Sequence, residues 1–216
     1  LALLGLGFVL GIRHAADPDH VVAVAAITAR TRRLLPAAWL GVVWGLGHSL
    51  TLFLVGGAIL AFNLVVPPRV GLALEFAVAL ALVTVGALNL RRGHAHAHDD
   101  IPGQGRIPAW RAFFVGLVHG LAGSAAVALL VLATVRDARM GLLYLLVFGV
   151  GTMTGMALVT TGFAAPVAAL THRHPRFAPA TRWLTGLASV GFGLWLAYQI
   201  GFVDGLFGTT PHWDPH

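Results

Sequence analysis

The chain has 216 residues, 57% of them hydrophobic and only 10% charged, with a formal charge of +6 at pH 7 and a mean hydropathy of +0.82. A soluble domain carries roughly 25% charged residues, so this composition excludes an ordinary water-soluble fold and predicts an all-α polytopic membrane protein. All 14 basic residues are arginine, which places the charge at membrane borders and excludes a nucleic-acid partner, and the absence of cysteine excludes disulfides, thiolate metal ligands and dithiol relays.

Six segments are apolar and long enough to cross a hydrocarbon core that needs about 20 helical residues: 2–27, 37–62, 71–90, 109–135, 141–170 and 183–203. The first run continues straight into polar sequence without a cleavage site. It reads as a first span short of a few residues at its start, not as a signal peptide. The first, third and fifth connections carry Arg30, Arg32, Arg33, Arg91, Arg92, Arg106, Arg111, Arg173, Arg176 and Arg182, whereas the opposite side has Arg69, Arg136 and Arg139. That asymmetry predicts a multi-pass protein of the cytoplasmic membrane with its odd-numbered loops in the cytoplasm and both termini outside.

Inside the first span, Arg13-His14-Ala15-Ala16-Asp17-Pro18-Asp19-His20 puts five ionisable residues into eight positions. An unpaired charge at the bilayer centre costs roughly 3 kcal/mol or more, so such groups require partners. Two imidazoles and two carboxylates suit a borderline first-row metal ion. On an unbroken helix His14 and Asp17 share one side, with His20 within reach of Asp17, while Asp19 points away. Pro18 removes a donor and clashes with the carbonyl of His14. A kink or opening between His14 and Pro18 is therefore expected, turning Asp19 inward and freeing carbonyls near the ion.

The stretch His14-Ala-Ala-Asp17-Pro18-Asp19-His20, following Gly11-Ile12-Arg13, resembles the His-x-x-x-x-Asp-His signature of the nickel/cobalt transporter (NiCoT) family. It departs from the fuller family pattern at Pro18, where alanine is more usual. The chain is short for the eight-helix members and looks more like the six-helix, urease-accessory type of nickel permease. The resemblance implies a non-enzymatic permease that takes Ni²⁺ or Co²⁺ as transported substrate, with no permanent cofactor. It also implies uptake into a prokaryotic cell, with hand-over to a cytoplasmic metallochaperone or to urease or hydrogenase maturation proteins.

In the second span, Gly45-Leu46-Gly47-His48-Ser49 sets a histidine at mid-depth among small residues that permit close helix contact. It also resembles the family's second-helix motif, which makes His48 a candidate ligand. Glu75 and Asn89 fall near the ends of the third span and read as interfacial. The following loop, roughly 91–108, contains His94, His96, His98, Asp99 and Asp100, three imidazoles on one side of an extended chain, suited to weak capture of a divalent cation or to no more than solvation. His119, in the fourth span, is open between ligand, gate and packed polar residue. Thr152, Thr154, Thr160 and Thr161 on the fifth span read as packing contacts. His172 and His174, beside arginines, read as interfacial.

Gly11-Ile12-Arg13-His14 matches Gly116-Leu117-Val118-His119 at an offset of 105. Gly45-Leu46-Gly47-His48 matches Gly149-Val150-Gly151-Thr152 at 104, and Val85-Gly86 matches Val190-Gly191 at 105. These correspondences predict two three-span repeats, about 1–90 and 109–203. With three spans each, the repeats must be inverted, and sites of that plan form near the midplane between them. The expected ligands are His14, Asp17, Asp19, His20 and His48, with His119 as a further candidate. A membrane haem protein with paired axial histidines, an intramembrane metallohydrolase and an exporter of another small solute remain as alternatives.

Overall fold

A computed structural model describes residues 1–28, 33–62, 66–94, 108–120, 137–174 and 177–213. Every regular element among them is helical: α1 (Ala2–His14), α2 (Pro18–Thr28), α3 (Leu34–Phe62), α4 (Pro68–His94), α5 (Ala109–Gly120), α6 (Ala138–Arg173) and α7 (Ala178–Tyr198). The last continues into a π-helical turn at Gln199–Val203. Four described stretches are long and apolar enough to cross a membrane: Leu34–Ala58, Pro68–Arg91, Arg139–His172 and Ala178–Val203. Large apolar side chains such as Leu54, Leu88, Leu158, Leu184, Leu194 and Phe202 face outward from these helices, a surface suited to lipid and not to water. Of the predicted fourth span, α5 is the described part, and 121–135 lie outside the described residues, as do 95–107 of the His-rich loop.

The first predicted span is divided where the proline stands. Pro18 occupies the first helical position of α2, where its missing N–H and fixed φ cost little. Between α1 and α2 the chain makes a tight turn, with the Ala16 N–H donating to the Arg13 carbonyl (2.9 Å) and the Asp17 N–H to the His14 carbonyl (3.1 Å). The break is thus as expected, but its consequence differs. The carbonyls of Arg13 and His14 are not freed for an ion, because the turn satisfies them itself.

Packing centres on α3, which runs against α5 and α6; α1 lies on α6, α4 pairs with α7, and α2 fits among α4, α6 and α7. Glycines set these approaches. A Cβ on Gly11 would collide with the Phe148 carbonyl oxygen across α1 and α6, and one on Gly151 with the Phe8 carbonyl of the same pair. Across α3 and α5, a Cβ on Gly116 would collide with the Trp44 carbonyl oxygen and one on Gly47 with that of Phe113. The two sets correspond position by position: Gly11 and Gly116, Phe8 and Phe113, Gly47 and Gly151, Trp44 and Phe148. Gly45 against Met153 and Gly149 against Ser49 repeat the pattern between α3 and α6.

Asn89 stands near the end of α4. It is buried between α4 and α7, where its Nδ2 donates to the Arg182 carbonyl and to Thr185 Oγ1, both at 3.4 Å. An amide taken out of water must keep its hydrogen bonds, and these join the two helices near one end. Ser189 Oγ donates to the Leu82 carbonyl at 2.8 Å nearer the middle of the same pair. Glu75 accepts from Trp213 Nε1 at 2.9 Å, so the segment after the π-helical turn folds back on α4, with the Trp213 ring over Gly71.

Candidate metal centre

Three helices converge on one polar cluster. The end of α1 carries His14, the first turn of α2 carries Asp19 and His20, and the middle of α3 carries His48, while Asp17 stands in the turn between the first two. His14 is 6% exposed, and His20 and His48 are fully buried. Their ring centroids lie 4.7 Å (His14 to His20), 4.9 Å (His14 to His48) and 5.0 Å (His20 to His48) apart. One ligand atom from each falls within 4.8 Å of the others, and the same holds for Asp17, Asp19 and His20. His20 belongs to both sets. The proline break brings this about, since it starts a new helix whose first turn presents Asp19 and His20 to α1.

Hydrogen bonds fix which ring nitrogens remain open. His14 Nδ1–H donates to Asp17 Oδ2 at 2.8 Å, and His20 Nδ1–H donates to Asp19 Oδ1 at 3.0 Å. A neutral imidazole that donates from Nδ1 has a lone pair at Nε2. His14 Nε2 therefore accepts from His48 Nε2–H at 2.8 Å, which leaves the His48 Nδ1 as a bare acceptor. Among the described residues no hydrogen-bond partner reaches His20 Nε2 or His48 Nδ1, although both are buried. Buried polar atoms are nearly always satisfied, so each orphan demands an explanation. A carboxylate behind an imidazole whose far nitrogen is free is the arrangement that orients histidines around metal ions.

Asp17 has 35% of its side chain exposed and Asp19 has 14%, so the carboxylates grade from the surface toward the buried imidazoles. His119, on α5, has its ring 5.6 Å from that of His20 but is not within ligand distance of the triad. It donates Nδ1–H to the Val115 carbonyl at 3.2 Å, and its Nε2 is buried without a partner. Trp44, one turn before His48, stacks near His20 (6.2 Å, 18°) and meets His119 edge-on (5.3 Å).

No family model matches the sequence, and no solved structure matches the chain. Among curated proteins, the urease accessory protein UreH of Bacillus sp. (strain TB-90) is 40% identical over 218 residues, covering 96% of this chain and 95% of the relative. The chain belongs to the UreH family. Two chloroplast proteins of Arabidopsis thaliana, FOR GROWTH AND FERTILITY 2 and FOR GROWTH AND FERTILITY 1, are 25% and 26% identical over 87% of the chain. The chain spans about half the length of each of these, 54% and 56%.

Of the candidate ligands in this UreH-family chain, the structure brings His14, Asp17, Asp19, His20 and His48 together and sets His119 beside them. Asp17 and Asp19 reach the cluster through the imidazoles they hydrogen-bond. Trp44 and Phe148, whose ring lies 5.6 Å from that of His14, are wall residues that motif reading missed. Trp44 was detectable by its i, i+4 spacing to His48. His172 and His174 are exposed, as expected of interfacial residues. The buried hydroxyls of Thr152 and Thr160 bond to the carbonyls of Phe148 and Met156 in their own helix, so they pack and do not offer free donors to the cluster.

Proposed function

We propose that this protein is a permease that moves Ni²⁺ or Co²⁺ inward across a prokaryotic cytoplasmic membrane through the His14, His20, His48 cluster. The observation that carries this reading is the pair of buried, unpartnered imidazole lone pairs on His20 and His48, beside a third imidazole on His14, with two carboxylates behind the rings. Buried imidazole nitrogens without a partner among the described residues suit a cation, and imidazole with carboxylate suits nickel or cobalt better than magnesium or calcium. The name of the UreH relative adds support, because urease maturation consumes nickel.

The spacing is favourable as well. With metal–nitrogen bonds of about 2.05 Å, ligands at right angles on a square-planar or octahedral ion stand about 2.9 Å apart. The His14 and His48 Nε2 atoms stand 2.8 Å apart. An ion bound by both Nε2 atoms requires the His48 ring proton to sit on Nδ1, the unpartnered nitrogen, which leaves both Nε2 lone pairs to the ion. The same closeness argues against haem, since trans axial nitrogens with bonds of about 2 Å stand about 4 Å apart.

Six spans in two inverted repeats, with both termini outside, complete the proposal. Its support is the exchange of roles between Gly11 against Phe148 and Gly116 against Trp44, and between Gly151 against Phe8 and Gly47 against Phe113. Two copies related by a two-fold axis in the membrane plane would make such pairs. Asp17 and Asp19 offset the charge of the ion, and the His-rich loop after His94 serves hand-over to cytoplasmic metallochaperones or maturation proteins. The test is uptake of radiolabelled Ni²⁺ and Co²⁺ by proteoliposomes. Saturable uptake by the wild type that His14→Ala abolishes supports the reading, and uptake unchanged in His14→Ala sinks it.

A further inference from the structure

A metal ion held by three buried imidazoles must still leave them, and one histidine in the structure stands outside the triad but beside one member of it. His119 lies 5.6 Å from His20, ring to ring, and its fully buried Nε2 has no partner among the described residues. His20 is therefore shared: its ring neighbours those of His14 and His48 and also that of His119. Beyond them stands Trp44, which is 2% exposed, roughly parallel to the His20 ring and edge-on to that of His119.

The helices give this layer a direction. Trp44 is four residues before His48, about 6 Å nearer the start of α3. His119 rises on α5 from Ala109, and His20 descends on α2 toward Thr28. The end of α2 and the starts of α3 and α5 adjoin the two connections that the arginine distribution assigns to the cytoplasm. Gly120 packs on His48 and Gly116 on Trp44, so His119 stands level with His48, Trp44 lies one turn to the inward side of both, and Asp17, the most exposed group of the cluster, lies on the outer approach.

Resting on the metal-site reading above, we propose that His119 is a second station for the ion, filled from His20, and that Trp44 is the plug that closes this station toward the cytoplasm. His20 keeps its bond to the ion while His14 and His48 are exchanged for His119, so the ion is never without an imidazole in a dry interior. A single nitrogen at the second station, against three at the first, holds the ion weakly enough to release it.

The discriminating experiment measures equilibrium Ni²⁺ binding to purified full-length protein and Ni²⁺ uptake by proteoliposomes for His119→Gln, His14→Ala and Trp44→Ala. For His119→Gln the expected Kd stays within about threefold of wild type while uptake falls at least tenfold. For His14→Ala both binding and uptake are lost. For Trp44→Ala binding persists and Ni²⁺ trapped inside the vesicles leaks down its gradient. Normal uptake by His119→Gln overturns the proposal, and so does a loss of binding as deep as that of His14→Ala, because His119 then belongs to the primary ligand set. A tight Trp44→Ala vesicle removes the plug. If His14→Ala binds and transports normally, the metal-site reading itself fails, a result distinct from any His119 outcome. The size-exclusion profile of each variant identifies a folding loss, in which case His119→Asn replaces His119→Gln in the same comparison.

Discussion

The carboxylates offer the sharpest quantitative test of how the cluster works. Asp17 and Asp19 each accept the Nδ1–H of a neighbouring imidazole, at 2.8 and 3.0 Å, and in the proposed site this would keep Nε2 of His14 and His20 available to the ion. Removing a carboxylate that supports a metal-bound histidine costs about 10–100-fold in metal affinity, or about 1.4–2.7 kcal/mol. Asp17→Ala should sit near the lower end, since 35% of the Asp17 side chain is exposed and water can replace part of its role. Asp19→Ala should sit near the upper end, since Asp19 is 14% exposed and its partner His20 is fully buried. Asp→Asn retains an oxygen that accepts from Nδ1, and a neutral bond is about half as strong as a charge-assisted one, so each Asn variant should bind more tightly than its Ala counterpart. Calorimetric titration of purified protein with Ni²⁺ gives these affinities, and Co²⁺ absorption reports the ligand set. A loss of about a thousandfold in the Asn variants, with a changed Co²⁺ spectrum, would show that the carboxylates bind the ion directly and would refute the orienting role. Unchanged affinity in both Ala variants would refute it equally.

Other outcomes follow from the same geometry. Gly116→Ala places a Cβ against the Trp44 carbonyl, and overpacking of about 1–3 kcal/mol should lower the Tm in detergent by several degrees, whereas Gly162→Ala, with open space around its Cβ position, should leave it unchanged. Ni²⁺ affinity should fall on acidification, because protons compete for the ring nitrogens, and His48→Asn should show weaker binding at neutral pH with a shallower slope. Deleting 94–100 should leave measurable uptake in a well-inserted protein, because that loop adjoins the helix end and cannot supply ligands at mid-depth. Complete loss of uptake in that deletion would make the loop essential.

Much of the helical layout was legible because hydropathy and length bear directly on what a bilayer tolerates. Leu34–Phe62 and Ala138–Arg173 match their predicted spans to within a few residues. Pro18 announced the break in the first span, since a ring without an N–H is best accommodated at a helix start. What the break would do was less legible. Asp19 turns inward, as the proline break led one to expect, and bonds the His20 imidazole, but the carbonyls expected to face an ion are consumed by the turn. The triad itself could be drawn up from the motif and His48, but the position of His119 depends on how closely α5 approaches α3, which Gly47, Gly116 and Gly120 set. The partners of Asn89 were hidden for a similar reason. Its place near a span end says nothing of α7 lying alongside to receive its amide.

The central claim is that His14, His20 and His48 form the nickel site of a permease. Uptake of radiolabelled Ni²⁺ into proteoliposomes, comparing wild type with His20→Ala at matched insertion, tests it most directly. His20 belongs to both ligand sets and has no exposed surface, so its loss should abolish saturable uptake without disturbing insertion. Uptake by His20→Ala at the wild-type rate would contradict the account.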